Sequence, residues 1–137
     1  MRKKYQLAYY AHSIKKYNTE QETLEYQFAK DMFHGFVICP NKHMEDVRII
    51  EPYLDIVERV DVVYASEYNG CVGMGVFKEC ERALKFGIPV FVIKPSGVTF
   101  ELEELISVDR IENGSLIMFG KLVSKKLSPK KVGAEKT

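Results

Sequence analysis

The stretch that most constrains this chain is Asn69 to Pro95, NGCVGMGVFKECERALKFGIPVFVIKP. It reads as a glycine-rich loop, a helix and a buried strand. Gly70, Gly73 and Gly75 allow tight turns and close approach to a ligand. Val76, Cys80, Ala83 and Leu84 recur at helical spacing and form a face that packs inward. Gly87 stops the helix and Pro89 prevents its continuation. Val90 to Ile93 is an apolar run of the kind that parallel sheets bury on both faces. Glu79 sits at the edge of the apolar face, near the helix start, where the helix dipole is expected to keep its carboxylate ionised. An acidic residue also simply suits a first turn. The Gly-x-Gly element lacks the third glycine of a dinucleotide fingerprint and the Gly-Lys-Ser/Thr of a P-loop.

The rest of the chain supplies the partners such a unit needs. Tyr5 to Ala11 is rich in strand formers and is followed by a loop, His12 to Lys16. Thr19 and Glu22 make a capping box, after which Leu24, Phe28 and Met32 continue at helical spacing. His34-Gly35 ends that helix. Phe36 to Cys39 is a short buried strand stopped by Pro40-Asn41. The segment from Lys42 to Glu51 is ambiguous. Pro52 opens a helix running to about Glu58, and Asp61 to Ala65 is a third strand. After Pro95 come a Ser96-Gly97 turn, a segment from Phe100 to Ile111 legible as irregular strand or short helix, an Asn113-Gly114 turn and an apolar segment from Leu116 to Val123. The alternation of strand and helix predicts an α/β fold, a single-domain flavodoxin- or Rossmann-like three-layer sandwich. Its parallel sheet would have four to five strands in the order 2-1-3-4, with the last segment at an edge. Residues 1–127 would form the domain and 128–137 a polar, flexible tail. Ligands of such sheets bind at the carboxyl ends of the strands, at the switch point. That places the loops at His12–Lys16 and Ser66–Gly75 side by side.

Composition limits the classes of function. The chain has 137 residues and a net charge of +1, with 46% of residues apolar. It can bury one proper core, and it carries no global field that would draw nucleic acid. No apolar run has transmembrane length and the basic start is not followed by a signal-peptide core. Cys39, Cys71 and Cys80 lack metal-ligand spacing, and Cys39 and Cys80 are expected to be reduced core residues, which suits the cytoplasm. His12, His34 and His43 do not form a metal set. No nucleophile-elbow motif accompanies Ser13 or Ser66. No cofactor is called for.

The two loops give the chain a specific resemblance. Tyr9-Tyr10-Ala11-His12-Ser13-Ile14-Lys15, Val60-Asp61-Val62-Val63, the Gly73-x-Gly75 loop with Glu79 four residues before Ala83, and Lys94-Pro95-Ser96-Gly97 follow one another in a shared order. In this order the chain resembles the nucleoside 2-deoxyribosyltransferase-like superfamily, in particular the 2'-deoxynucleoside 5'-phosphate N-hydrolases, over about Tyr5 to Val98. The resemblance implies a small-molecule nucleoside or nucleotide as substrate, and attack by Glu79 on C1' in a double displacement through an oxocarbenium-like state. It implies that Tyr9 positions Glu79 or the sugar. Ser13 with the amides of Ser13, Ile14 and Lys15 would hold a 5'-phosphate, Lys15 supplying counter-charge. Gly73 and Gly75 would shape the site. Ser96 would reach a neighbouring subunit's phosphate in a homodimer or a higher even oligomer.

Three departures accompany the resemblance. Two additional residues separate Gly75 from Glu79. Tyr53 stands where the family has an acid, with Asp55 and Glu51 the nearest substitutes. His12 replaces a loop glycine, where it would face water, donate to a phosphate or protonate the leaving base. Two other functions stay open at this point: a relative that binds a nucleotide without chemistry, and an enzyme on another glycosidic bond such as nicotinamide–ribose.

Overall fold

The computed structural model describes residues 6–44, 49–115 and 118–127. Among the described residues it is an α/β fold on a seven-stranded mixed sheet. The strands are β1 (Leu7–Ala11), β2 (Phe36–Ile38), β3 (Val62–Ala65), β4 (Cys71–Val72), β5 (Val90–Ser96), β6 (Thr99–Arg110) and β7 (Gly120–Lys126). The helices are α1 (Glu20–Met32), α2 (Pro40–His43), α3 (Glu51–Val57) and α4 (Met74–Lys85), and a single 3-10 turn covers Ile14–Lys16. The sheet order is β2-β1-β3-β5-β6-β7-β4. The first four of these are parallel, with Ala8 opposite Val37 and Val62, and Val63 opposite Val90.

Four of the strands thus lie in the expected parallel order, and the count and the uniform direction are corrected. β5 turns back through Gly97, whose φ of +63° suits a residue without a Cβ. Ser96 and Thr99 face each other across that turn. A loop this short cannot make a crossover, so β6 must return antiparallel. β7 follows β6 antiparallel, and β4, cut from the glycine-rich loop, pairs antiparallel with β7.

β6 also shows why the sequence after Pro95 is hard to read. Its pairing shifts between Leu105 and Ser107. Before the shift, Phe100 and Leu102 pack toward α1, and Leu105 packs toward α4. After it, Val108 also packs toward α4. The extra residue changes the parity of the alternation, which removes the period-two signal over the whole strand.

Two apolar clusters flank the sheet. Tyr9, Ala11, Val63, Ala65, Val90 and Val92 turn to the side of Val57, Val76, Cys80 and Ala83, which come from α3 and α4. Ala8, Tyr10, Tyr64 and Ile93 turn to the side of Ala29 on α1. α4 ends as expected at Gly87, whose φ is +71°. The Gly87 amide donates to Leu84 O at 3.1 Å and the Ile88 amide to Ala83 O at 2.8 Å, which satisfies the last carbonyls of the helix. Gly120 is a close-approach glycine: a Cβ there would lie 2.3 Å from the Phe77 ring.

α1 differs from the expectation. Its Leu24 and Met32 are exposed, and Glu22, Glu25 and Ala29 are its buried residues. The helix packs Phe28, with Tyr26 and Ala29, against the cluster on this face, and adds buried carboxylates whose polar partners lie beside β1. Tyr5 of the expected first strand, part of the ambiguous Lys42–Glu51 segment, Leu116–Ile117 and the 128–137 tail lie outside the described residues. Among the described residues no helix is long and apolar enough to cross a membrane.

Candidate functional site

Consecutive tyrosines of β1 point to opposite faces of the sheet, as strand geometry requires. Tyr9 turns toward α4 and donates its hydroxyl hydrogen to Glu79 Oε2. The resemblance implied that Tyr9 positions Glu79 or the sugar, and the two side chains meet although 70 residues separate them. Glu79 is buried rather than at the rim of the apolar face. Burial pushes its carboxyl pKa up to about 8, against the lowering effect of the Tyr9 hydrogen bond. The expectation that the helix dipole keeps Glu79 ionised is corrected accordingly. Glu79 lies beyond the first turn of α4, where the helix dipole has faded, and loss of water disfavours its charged form. The Tyr9 hydroxyl is raised well above its ordinary value, first by burial and then by Glu79.

Two further tyrosines lie in the electrostatic reach of this pair. The Tyr17 hydroxyl is raised first by burial and then by Glu79, Tyr53, Cys39 and Glu22. Tyr53 also raises Tyr9. Tyr53, where the resembling family carries an acid, is thus near the Tyr9–Glu79 pair, whereas Asp55 is exposed on α3. Tyr17 had no motif to mark it. It follows the 3-10 turn, and its ring centre lies 5.0 Å from that of His12.

On the α1 side the polar groups are more numerous. Tyr10 donates to Glu25 Oε1 at 2.6 Å. The other Glu25 oxygen accepts from Lys16 Nζ at 3.2 Å and from Gln21 Nε2 at 2.9 Å. Lys16 is only 5% exposed. It also donates to Ser66 Oγ and to the Glu67 carbonyl, and lies 4.6 Å from the Tyr68 ring centre. These contacts join the loop after β1 to the loop after β3, the adjacency expected of them. Glu67 in turn accepts from Lys94 Nζ at 2.6 Å. The Lys16, Glu25, Ser66 and Glu67 set could not be read from sequence, since its members are far apart and each has an ordinary surface role.

His12 is turned inward. Its Nδ1 lies 3.1 Å from the Tyr10 carbonyl and its Nε2 2.6 Å from Glu22 Oε2. The carbonyl can only accept, so Nδ1 carries a hydrogen, and Nε2 and Glu22 share one proton between them. Burial opposes charge on both groups, yet hydrogen bonds from His12 and from the Asn18 amide hold the Glu22 carboxyl below its ordinary value. The capping box is half formed. Thr19 Oγ1 accepts from the Glu22 amide at 3.2 Å, but the Glu22 side chain accepts from Asn18 N at 3.0 Å and from His12.

The remaining expected site residues are dispersed. Ser13 Oγ accepts from the Lys15 amide at 3.1 Å and so caps its own 3-10 turn. Ile14 and Lys15 are exposed. Gly73 has ordinary extended backbone and begins α4 beside β4, far in strand order from β1. Gly75 has open space where a Cβ would stand. Ser96 ends β5 opposite Thr99.

Two surface hollows lie elsewhere. One, of about 510 Å³, runs between α3 and α4 past Leu54, Lys78 and Arg82. The other, of about 460 Å³, is lined by Arg110 to Gly114 and Phe119. Neither is lined by Tyr9, His12 or Glu79. Comparison of the chain with protein-family models, with curated proteins and with solved structures gives no match.

Proposed function

We propose that the protein acts on the N-glycosidic bond of a nucleoside or nucleoside 5'-monophosphate, by hydrolysis or deoxyribosyl transfer. The observation that carries this reading is the hydrogen bond from Tyr9 to Glu79, reached from β1 where the chain order reverses between β2 and β3. A flavodoxin-like, three-layer arrangement fits the helix clusters on the two sheet faces and belongs to the same reading. Glu79 is the nucleophile: its carboxylate attacks C1', the base departs with the bonding electrons, and water or a second base then displaces Glu79. Tyr9 holds the carboxylate in line, and Tyr17 and Tyr53 are positioned to flank the sugar or base. Ser13, Ile14 and Lys15 offer amides and a cation for a 5'-phosphate. Ser96 lends its hydroxyl to a neighbouring subunit in a homodimer.

Ionised Glu79 is required for attack, so base release should rise with pH through about 8. A developing oxocarbenium charge favours the carboxylate once substrate is bound. A second reading, binding without chemistry, is favoured by the burial of Glu79 and by Tyr53 at the position of the family's acid.

Incubation with a panel of nucleosides, 5'-monophosphates and nicotinamide dinucleotide, with free base resolved by chromatography, separates the readings. The expected result is base release from a nucleoside or monophosphate that Glu79→Gln lowers by about a thousandfold or more while ligand affinity changes little. A protein that binds nucleotides and releases no base supports the second reading. Consumption of the dinucleotide alone moves the chemistry to the nicotinamide–ribose bond.

A further inference from the structure

We propose that His12, Glu22 and Cys39 form a binding site for a divalent transition-metal ion, with zinc the best match to the donor set. The three residues come from separate elements that meet beside the carboxyl ends of β1 and β2. His12 directly follows β1, Glu22 lies in the first turn of α1, and Cys39 directly follows β2. All three are buried, at 5%, 1% and 0% exposure. Their ring nitrogen, carboxylate oxygen and sulfur all lie within 4.8 Å of one another.

The spacing suits a tetrahedral ion. With metal–nitrogen and metal–oxygen bonds near 2.0 Å and metal–sulfur near 2.3 Å, donors stand about 3.3 to 3.6 Å apart. The His12–Glu22 separation of 2.6 Å must open by less than about 1 Å to admit the ion.

The supporting contacts are those of a metal-binding histidine. Nδ1 is engaged by the Tyr10 carbonyl, which leaves Nε2 as the ligand atom facing Glu22 and fixes the tautomer. The Tyr10 ring stacks on the imidazole at 3.9 Å and 6°, holding its plane. The second Glu22 oxygen is held by the Asn18 amide at 3.0 Å. Asn41 Oδ1, 3.1 Å from Cys39 Sγ, stands beside the set as a further oxygen donor.

Charge balance points the same way. A dication with one carboxylate, one thiolate and a neutral imidazole is neutral overall, as a buried site requires. Nitrogen, sulfur and oxygen together match zinc or cobalt and not magnesium or calcium. On binding, the proton shared by His12 and Glu22 and the Cys39 thiol proton leave to solvent. This inference is independent of the reading of Glu79, which lies on the other face of the sheet.

The test uses the full chain, stripped with a chelator and titrated with Co²⁺ and then Zn²⁺ against a chromophoric competitor. Expected are one equivalent bound with sub-micromolar affinity and a cobalt form with intense tetrahedral visible bands and a thiolate-to-cobalt charge-transfer band. Cys39→Ser should abolish the charge-transfer band and lower affinity by more than the ~10- to 100-fold that loss of an outer-shell partner costs. Glu22→Gln should weaken binding and keep that band. Cys71→Ser, at a half-exposed thiol, should change neither. If Cys39→Ser does not fold, the band is sought in a Cys71→Ser, Cys80→Ala chain, in which Cys39 is the remaining thiol. Absence of the band from the unmodified protein or from that chain, or its survival in Cys39→Ser, overturns the proposal.

Discussion

Tyr9 and Tyr10 are neighbours on one strand, and each gives its hydroxyl hydrogen to a buried glutamate. The two faces of β1 nevertheless treat their acids differently. Toward α1, Glu25 meets Lys16 and Gln21 as well as Tyr10, and the lysine is tied further to Ser66 and Glu67. Toward α4, Glu79 lies among Val76, Cys80 and Ala83 on its own helix, and its pKa is raised to about 8. The same donor and the same acid thus give a locked ion pair on one side and a protonated, titratable carboxyl on the other. The counter-charge makes the difference. A buried acid with a cation at hand forms a structural tie, and one with a phenol alone becomes a group able to change state near neutral pH.

The largest expected effect comes from breaking the locked side. Lys16→Met keeps the length of the side chain and removes the ammonium, leaving Glu25 buried beside Tyr10 and Gln21. Urea unfolding should show a loss of about 3 to 5 kcal/mol, the usual result of stranding one member of a buried pair. A loss below about 1 kcal/mol, the range of exposed pairs, would mean that the two faces do not differ as described.

An effect no larger, with a definite sign, is expected on the titratable side. The folded pKa of Glu79, about 8, lies above its ordinary value of 4.5. Between these values the native protein keeps a proton that the unfolded chain has lost. The stability contributed by this group is full below about pH 4.5 and is lost as pH rises through 8. Glu79→Gln cannot titrate. Relative to it, the unmodified protein should lose on the order of a few kcal/mol between pH 5 and pH 9, at about 1.4 kcal/mol per pH unit where only the unfolded state is ionised. Parallel stability curves for the two proteins would remove Glu79 from the role of a raised acid.

The smallest effect sharpens the account of α1. If Phe28, Ala29 and the buried carboxylates rather than Leu24 hold the helix, Leu24→Gln should change stability by no more than about 0.5 kcal/mol, as for an ordinary exposed position. A loss of about 2 kcal/mol or more in thermal or urea unfolding would restore Leu24 to the core.

Much of the fold was legible because it rests on local signals. The runs read at Tyr5–Ala11, Phe36–Cys39, Asp61–Ala65 and Val90–Ile93 hold the four parallel strands, within a residue or two at most ends. Thr19 and Gly87 bounded α1 and α4 through backbone capping that acts within a few residues. The spacing of Val76, Cys80 and Ala83 located the buried face of α4, while Tyr9 was linked to Glu79 or the sugar only through the family resemblance. β6 was illegible because one shifted pair reverses its alternation, and β4 because two residues carry no period.

The sequence by itself determined roughly where the four parallel strands and α1, α3 and α4 lie, since turns, caps and apolar periods are properties of neighbouring residues. Only the tertiary structure decided which charges are buried and with what company. Glu22, Glu25 and Lys16 look like surface residues along the chain. They are buried because the loops after β1 and β3 and the inner face of α1 close around them, and each supplies the other's missing hydrogen bonds. The state of Glu79 was settled in the same way, by the loss of water around it rather than by its place in the helix.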